Sequence, residues 1–207
     1  MSTDLKKDNN HAIFLILAAA ILISAGFQIG FSELPEISEA LIAGTASAVF
    51  SAVLVMLTNL LPHDIKHKLV FTRPFNEMPA GRIHKLTIKD PRIDSVLASS
   101  RWPDVFDSEI EPGLRNSRWY QQIYKSVKDK PEVLQAHRSF LLYRDVFSGM
   151  VMLLLIAAVW QWLGDPTLIG PLTPEVFYTL GGFTLLSQLA ARFSGNRFVV
   201  NAVAVAM

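Results

Sequence analysis

The chain has no cysteine among its 207 residues, and its four longest apolar stretches contain no charged side chain. The first absence excludes disulfides and thiolate metal sites. The second argues against a proton or cation pump that depends on a titrating group buried in the membrane. A glycine-rich phosphate loop, a metalloprotease motif, a nucleophile elbow and a convincing pair of catalytic carboxylates are also missing. We therefore predict a protein that is not an enzyme and needs no cofactor.

The four apolar stretches have the character of membrane spans. They are Ala12–Phe31, Ala40–Leu61, Val146–Gly164 and Val176–Ala191. A helix crosses the bilayer core with roughly 20 apolar residues, which is the length of the first three. The fourth is shorter, but Leu172 and a snorkelling Arg192 extend it, and Pro174 marks its start. We predict an all-α, polytopic membrane protein with four transmembrane helices and a small helical cytoplasmic region between helices 2 and 3.

Basic residues fall on one side of this pattern. Two precede the first stretch, fifteen lie between the second and third, and two follow the fourth. The connections between the first and second stretches and between the third and fourth contain acidic residues but no basic ones. Positive residues stay on the cytoplasmic side of an inner membrane. Both termini are therefore predicted to be cytoplasmic in a bacterial cell. The predicted divisions are 1–62 (N-terminal tail and helices 1 and 2), 63–145 (cytoplasmic helical region), 146–194 (helices 3 and 4) and 195–207 (cytoplasmic C-terminal tail).

Local signals divide the central region. Asp90 with the following proline can begin a helix, and a second helix is predicted from about Leu114 to Lys128. Pro131 begins a third, which meets no helix breaker before the third span and is predicted to continue into it. The stretch Leu69–Ile88 has no sustained period and predicts an ordered loop or short extended segments. The C-terminal tail is ambiguous between a short helix and a strand.

The second of these helices has two chemically different faces at 100° per residue. Its apolar face contains Tyr120, Ile123, Tyr124 and Val127, and its basic face contains Arg115, Arg118, Gln122 and Lys125. The basic face is either solvated or recognises an anion, since guanidinium groups offer planar, paired donors to phosphate. The candidate ligand-binding residues are Arg115, Arg118, Lys125, Lys128 and Arg138.

Other polar residues of the central region have competing interpretations. Lys66 and Lys68 adjoin the second span, where attraction to anionic lipid headgroups is expected. Trp119 either packs or stacks on a base. His63 and His67 share a helix face, but a metal ion would need further ligands. We predict membrane lipids as partners and no metal site.

Small and hydroxylated residues form a stripe on the second and fourth spans. The residues assigned to a pore or to helix packing are Gly44, Ser47, Ser51, Thr184 and Gln188. Small residues allow helices to approach closely, and hydroxyls bond across helices. The alternative is a wet pathway formed by several copies of the chain, because four short helices enclose little space alone.

Four short segments carry a resemblance to a group of small bacterial membrane proteins. They are Leu61–Lys66, Asp90–Asp94, Trp119–Tyr120 and Ala136–Leu142. By size and layout the chain also resembles the membrane effectors of bacterial anti-phage systems, particularly the Hailong channel effector and, less closely, the Kiwa membrane subunit. The Hailong resemblance implies a tetrameric channel whose basic cytoplasmic surface binds a DNA oligomer made by a partner nucleotidyltransferase. Opening of such a channel would arrest the infected cell.

The leading hypothesis is a homo-oligomeric inner-membrane effector, a pore controlled by a phosphate-rich nucleotide or oligonucleotide. The alternative is a non-conducting membrane scaffold that recruits a cytoplasmic partner protein through residues 63–145, with Tyr120 and Tyr124 among its contacts. An enzyme acting on lipid is a third possibility, for which the chain offers no nucleophile arrangement.

Overall fold

The chain is helical in the part that the computed structural model describes, residues 9–35, 44–88, 90–163 and 170–207, without the side chains of residues 44–48. No strand occurs within these residues, so the predicted all-α class is confirmed. The helices are α1 (Asn10–Ile29), α2 (Gly44–Leu60), α3 (His63–Phe71), α4 (Ile83–Leu86), α5 (Ser95–Arg101), α6 (Pro103–Phe106), α7 (Pro112–Trp119), α8 (Lys125–Val127), α9 (Pro131–Leu163) and α10 (Pro174–Ala206). Short 3₁₀ turns cover Phe31–Glu33 and Pro79–Arg82, and a π-helical turn, Tyr120–Tyr124, joins α7 to α8.

Two of the described helices, α1 and α9, are long and apolar enough to cross a membrane. The part of α2 from Val49 to Leu60 qualifies together with α3, but the two are bent by 77° where Pro62 separates them. Helix α10 is not among the candidates, since Gln188 and Arg192 interrupt its apolar residues. Length and hydropathy thus support membrane insertion through two described helices, or three if the bent pair forms one span.

The chain divides into two compact units. The first unit contains Met1–Lys66 and Leu142–Leu189, and the second contains His67–Leu141 and Ala190–Met207. Helices α9 and α10 supply residues to both units, because each runs uninterrupted for 33 residues. The predicted continuity of the third cytoplasmic helix with the third apolar stretch is therefore confirmed, as is the helix start at Pro174.

The first unit is held together by close contacts between α1, α2, α9 and α10. Its buried core contains Ile13, Leu17, Ala20, Leu54, Val146, Met150, Ala157, Val176 and Leu180. A Cβ atom on Gly149 would lie 2.8 Å from Leu17 Cδ1 and 3.1 Å from Thr58 Cγ2, so only glycine permits this approach. The hydroxyl of Ser148 donates to the Thr58 carbonyl at 2.9 Å. In lipid, such packing and interhelical hydrogen bonds hold helices together.

The second unit has a core of stacked rings. The rings of His137 and Phe198 are nearly parallel with centroids 4.5 Å apart, and Phe140 stacks on the same phenylalanine. A Cβ on Gly195 would lie 2.7 Å from Phe71 Cζ and 2.9 Å from Phe140 Cε2. The C-terminal tail, ambiguous from sequence, is therefore the last part of α10, and it is helical because Phe198 completes this core.

Acidic side chains cap the starts of two helices. Asp94 accepts hydrogen bonds from the backbone N–H groups of Val96 and Leu97 and begins α5. Glu111 does the same for Gly113 and Leu114 at the start of α7. Those two N–H groups lower the pKa of the Glu111 carboxyl, because they stabilise its charged form.

Two local predictions were met only in part. The loop predicted for Leu69–Ile88 is present at residues 72–78 and 87–88, whereas α3 continues to Phe71 and a 3₁₀ turn followed directly by α4 covers residues 79–86. The helix expected from Asp90 begins only at Ser95, and Val96 in its first turn is 80% exposed. The reason is the Asp94 cap, which fixes a later start than the proline alone suggested.

Candidate functional site

Arg115, the first of the predicted ligand-binding residues, is buried, and both of its terminal nitrogens donate to backbone carbonyls. Its side chain is among the largest fully buried ones, and the residue is 2% exposed. Nη1 donates to the Gly81 carbonyl at 2.6 Å, and Nη2 donates to the carbonyls of Asp107 at 2.7 Å and Ser108 at 3.2 Å. Burial lowers the pKa of Arg115, partly offset by the charges of Asp107 and Glu111. Arg115 therefore joins three segments of the second unit and does not present its charge to a ligand.

The predicted face assignment fails at two positions because the helix is not regular. The π-helical turn between α7 and α8 shifts the residues after it relative to those before it, so a rotation of 100° per residue does not apply across it. Arg115 is buried and Tyr120 is 48% exposed, the reverse of the prediction. Ile123 and Val127 are buried as predicted. Trp119 packs at 4% exposure, with its ring 5.6 Å from that of Tyr124.

The remaining predicted ligand residues are accessible to different degrees. Arg118 Nη1 forms an ion pair with Asp104 Oδ1 at 3.1 Å, and the two side chains are 34% and 57% exposed. Lys125 is exposed, and its Nζ lies 5.7 Å from the centroid of the Tyr120 ring. Lys128 and Arg138 are exposed on α8's C-terminal end and on α9.

One contact joins the two segments that carry Lys125 and Arg138. The Tyr124 hydroxyl lies 3.1 Å from His137 Nδ1, and Lys125 and Arg138 are the next residues on their respective segments. Burial raises the pKa of Tyr124, which keeps this hydroxyl protonated at neutral pH. We call Arg118, Lys125, Lys128 and Arg138 the basic surface.

The residues assigned to a pore or to helix packing are only partly described. Gly44 and Ser47 lie in α2 where side chains are outside the described part of the chain, and Ser51 is half-buried. The Thr184 hydroxyl donates to the Leu180 carbonyl of its own helix at 2.7 Å. Gln188 is half-buried on α10. A pore stays a prediction.

A buried group of charges in the first unit was not expected from the sequence. Lys66 Nζ lies 3.0 Å from Asp145 Oδ1, and Arg144 donates from Nε and Nη2 to the same carboxylate at 3.1 Å. We call these three residues the ion cluster. Lys66 and Arg144 are each 4% exposed, and Asp145 is 1% exposed. Arg144 Nη1 also lies 3.3 Å from His63 Nε2. Lys66 is therefore not the lipid anchor that its position beside the second span predicted.

The ion cluster has a physical reason to persist. Moving charges out of water costs several kcal/mol per ion, and only close, hydrogen-bonded opposite charges offset this cost. Asp145 receives three charge-assisted hydrogen bonds from its two neighbours. A usable signal was present in the sequence, because Arg144 and Asp145 are adjacent opposite charges at the head of the third apolar stretch.

The histidines considered for metal binding have other contacts. His63 lies beside Arg144, and the ring of His67 stacks on Phe140 with centroids 5.9 Å apart. Within the described ranges, no group of three or more histidine and carboxylate side chains could hold a metal ion.

Comparison with other proteins gives no relative from which a site could be transferred. No protein-family model matches the chain, and neither curated proteins nor solved structures give a significant match. The candidate site therefore rests on the contacts of this chain: the basic surface of the second unit and the ion cluster of the first.

Proposed function

We propose that this chain is an inner-membrane protein with four spans, formed by α1, residues 40–61 and the apolar parts of α9 and α10. Residues 63–145 and both termini lie in the cytoplasm in this proposal. Its support is the hydropathy of α1 and α9 together with the placement of all 19 Lys and Arg on one side of the pattern. The short α10 stretch would reach the inner interface through the stem of Arg192.

The chain acts, in this proposal, as a pore opened by a phosphate-rich ligand that binds the basic surface. The observation that carries this proposal is that α9 is one unbroken helix of 33 residues. Arg138 of the basic surface lies in its N-terminal part, and its C-terminal part is a candidate span. A hydrogen-bonded helix without a proline or glycine break before Gly149 can transmit a displacement along its length. Ligand binding at one end would thereby act on the span at the other.

The ion cluster can separate a closed from an open state of the pore, because these states would differ in the ion pairs that α9 makes. Asp145 lies where the apolar stretch of α9 begins, and it is held by Lys66 of α3. Any rotation of α9 about its axis has to break these buried ion pairs or replace them. Because a buried charge is costly when unpaired, intermediate positions are disfavoured and switching is discrete.

A pore also requires several copies of the chain. Added Cβ atoms on Gly181 and Gly182 of α10 would meet no atom within 4 Å in the described part of one chain. Small residues of this kind allow a helix of another copy to approach closely, and closed rotational symmetry is the usual arrangement. The resemblance to anti-phage membrane effectors favours a tetramer, a DNA oligomer as ligand and a nucleotidyltransferase as partner.

The test is ion flux through liposomes that contain the purified full-length chain. We expect potassium flux that changes when a single-stranded DNA oligonucleotide is added, and loss of this response in Arg118→Glu/Lys125→Glu with the oligomer intact. The matched control, Lys130→Glu/Arg197→Glu, makes the same charge change at exposed positions outside the basic surface. Equal flux in protein-free vesicles would refute the pore. Flux indifferent to the oligonucleotide would refute ligand control.

A scaffold is the second candidate function, and one observation favours it. The second unit exposes large apolar side chains at Phe75 (81%), Ile88 (69%) and Val96 (80%), which are frequent at protein interfaces. In this case the liposomes would not conduct, and Phe75→Ser/Val96→Ser would release a co-purifying partner. Retention of that partner by the double variant would exclude these side chains as its contacts.

A further inference from the structure

Three arginines of the second unit lie near the C-terminal end of α3. The guanidinium of Arg82 lies over the Phe71 ring, 5.3 Å from its centroid. Arg192 Nη1 donates to the Thr72 hydroxyl at 3.3 Å, and Arg73 is the next residue. Thr72 has a φ of 51°, which ends α3 and turns the chain at this point. We call Arg73, Arg82 and Arg192 the arginine cluster.

The polar partners of the arginine cluster are neutral. Arg82 donates from Nη2 to Asn196 Oδ1 at 3.2 Å and from Nη1 to the backbone carbonyl of Glu77 at 3.4 Å. Arg192 is bonded to a hydroxyl, and the side chain of Arg73 is exposed. Within the described ranges, none of the three forms an ion pair, in contrast to arginines elsewhere in the chain such as Arg118.

Arg73 and Arg192 are close enough to Arg82 for their charges to act on it. Burial, followed by the positive charges of Arg73 and Arg192, lowers the pKa of Arg82 to about 10, and no carboxylate contributes. Even with this lowered pKa, the Arg82 guanidinium remains charged at neutral pH. Like charges held together in a partly buried position repel, and a bound anion relieves this repulsion.

We propose that the arginine cluster binds a phosphate group, with Arg73 and Arg192 as its direct donors and Arg82 as the supporting charge behind them. Guanidinium groups suit this ligand because each offers two parallel N–H donors to a pair of phosphate oxygens. Arg82 is fixed by Phe71 and Asn196, so its charge is already in place before the ligand arrives.

The phosphate can come from two sources. If the proposed function holds, the phosphate belongs to a soluble nucleotide or oligonucleotide. This assignment of the source rests on the proposed function. An anionic lipid headgroup is the other source, because Arg192 directly follows the apolar stretch Val176–Ala191 on α10. The chemistry of recognition is the same in both cases.

The experiment compares Arg73→Gln/Arg192→Gln with the wild-type chain, both full length. A fluorescent single-stranded deoxyadenylate oligonucleotide is titrated in neutral detergent, and retention of phosphatidylglycerol is measured by native mass spectrometry. Because the loss of each arginine is expected to weaken binding roughly tenfold, the double variant should bind its phosphate source about 100-fold more weakly. The control is Lys130→Gln/Arg197→Gln, which removes two exposed positive charges of the same unit. Arg73→Gln alone, at an exposed position, serves if the double variant does not fold.

The outcomes separate the two sources. Weaker oligonucleotide binding with unchanged lipid retention assigns the cluster to a soluble phosphate ligand, and the reverse result assigns it to lipid. Loss of both supports one phosphate site that accepts either source. Affinity and retention equal to those of the control variant overturn the proposal. Oligonucleotide binding without any change in ion flux would refute the proposed ligand control of the pore and leave the phosphate site standing.

Discussion

Lys66 Nζ and Asp145 Oδ1 lie 3.0 Å apart although 79 residues separate them in the chain, and both side chains are almost completely buried. The pair joins α3 to α9 within the first unit. Arg144 adds a second positive charge to the same carboxylate. A single acid therefore neutralises two buried cations. Substitutions at the three positions should for this reason lower the stability of the fold by different amounts.

Asp145→Asn should be the most destabilising substitution in the ion cluster. It leaves Lys66 and Arg144 without their shared counter-charge, and an orphaned buried charge costs about 3–5 kcal/mol. Lys66→Met should cost less, because Asp145 keeps Arg144 and the apolar side chain suits the site. Thermal unfolding in detergent micelles measures both, with the exposed Asp129→Asn as control. A larger loss in Lys66→Met than in Asp145→Asn would contradict this ranking.

Arg115→Ala and Arg118→Ala should differ although the sequence placed both residues on one helix face. The first removes the donors that satisfy the carbonyls of Gly81, Asp107 and Ser108, of which the bond to Gly81 is buried, and a buried carbonyl left unpaired costs about 1–3 kcal/mol. The second breaks a half-exposed ion pair, for which about 0–1 kcal/mol is usual. Limited proteolysis and melting temperature should show a loosened second unit for Arg115→Ala only. Equal stability of the two variants would exclude a structural role for Arg115.

Gly149→Ala and Gly182→Ala form a matched pair of helix glycines. At Gly149 the new methyl would lie 2.8 Å from Leu17 Cδ1, and such overpacking costs about 1–3 kcal/mol. At Gly182 the methyl meets no atom within 4 Å among the described residues, so the higher helix propensity of alanine should stabilise the monomer by about 0.5–1 kcal/mol. In a detergent that keeps the chain monomeric, the two melting temperatures should move in opposite directions, and a loss in both variants would contradict this prediction. In the oligomer, the proposed contact of α10 with another copy would instead make Gly182→Ala destabilising.

The sequence was a good guide to the helices. Pro131 and Pro174 begin long helices because proline at a first helical position costs no hydrogen bond and fixes φ. The stretch Leu69–Ile88 was not predictable in the same way, because its turns have no periodic signal and are fixed by burial of Phe71 and Ile83. Local sequence signals predict a helix or turn only where residues within that segment determine its conformation.

The sequence by itself determined the helical class, the long helices α1, α9 and α10, and the segregation of charge, since these follow from apolar runs, helix starts and composition. Tertiary structure alone decided which cations are accessible. Lys66 is buried and Lys68 is exposed two residues later, and Arg115 is buried while Arg118 is accessible. The physical reason is that Lys66 and Arg115 are buried where other segments supply a counter-charge, Asp145, or the Gly81 carbonyl oxygen, and no local pattern around either residue records that partner.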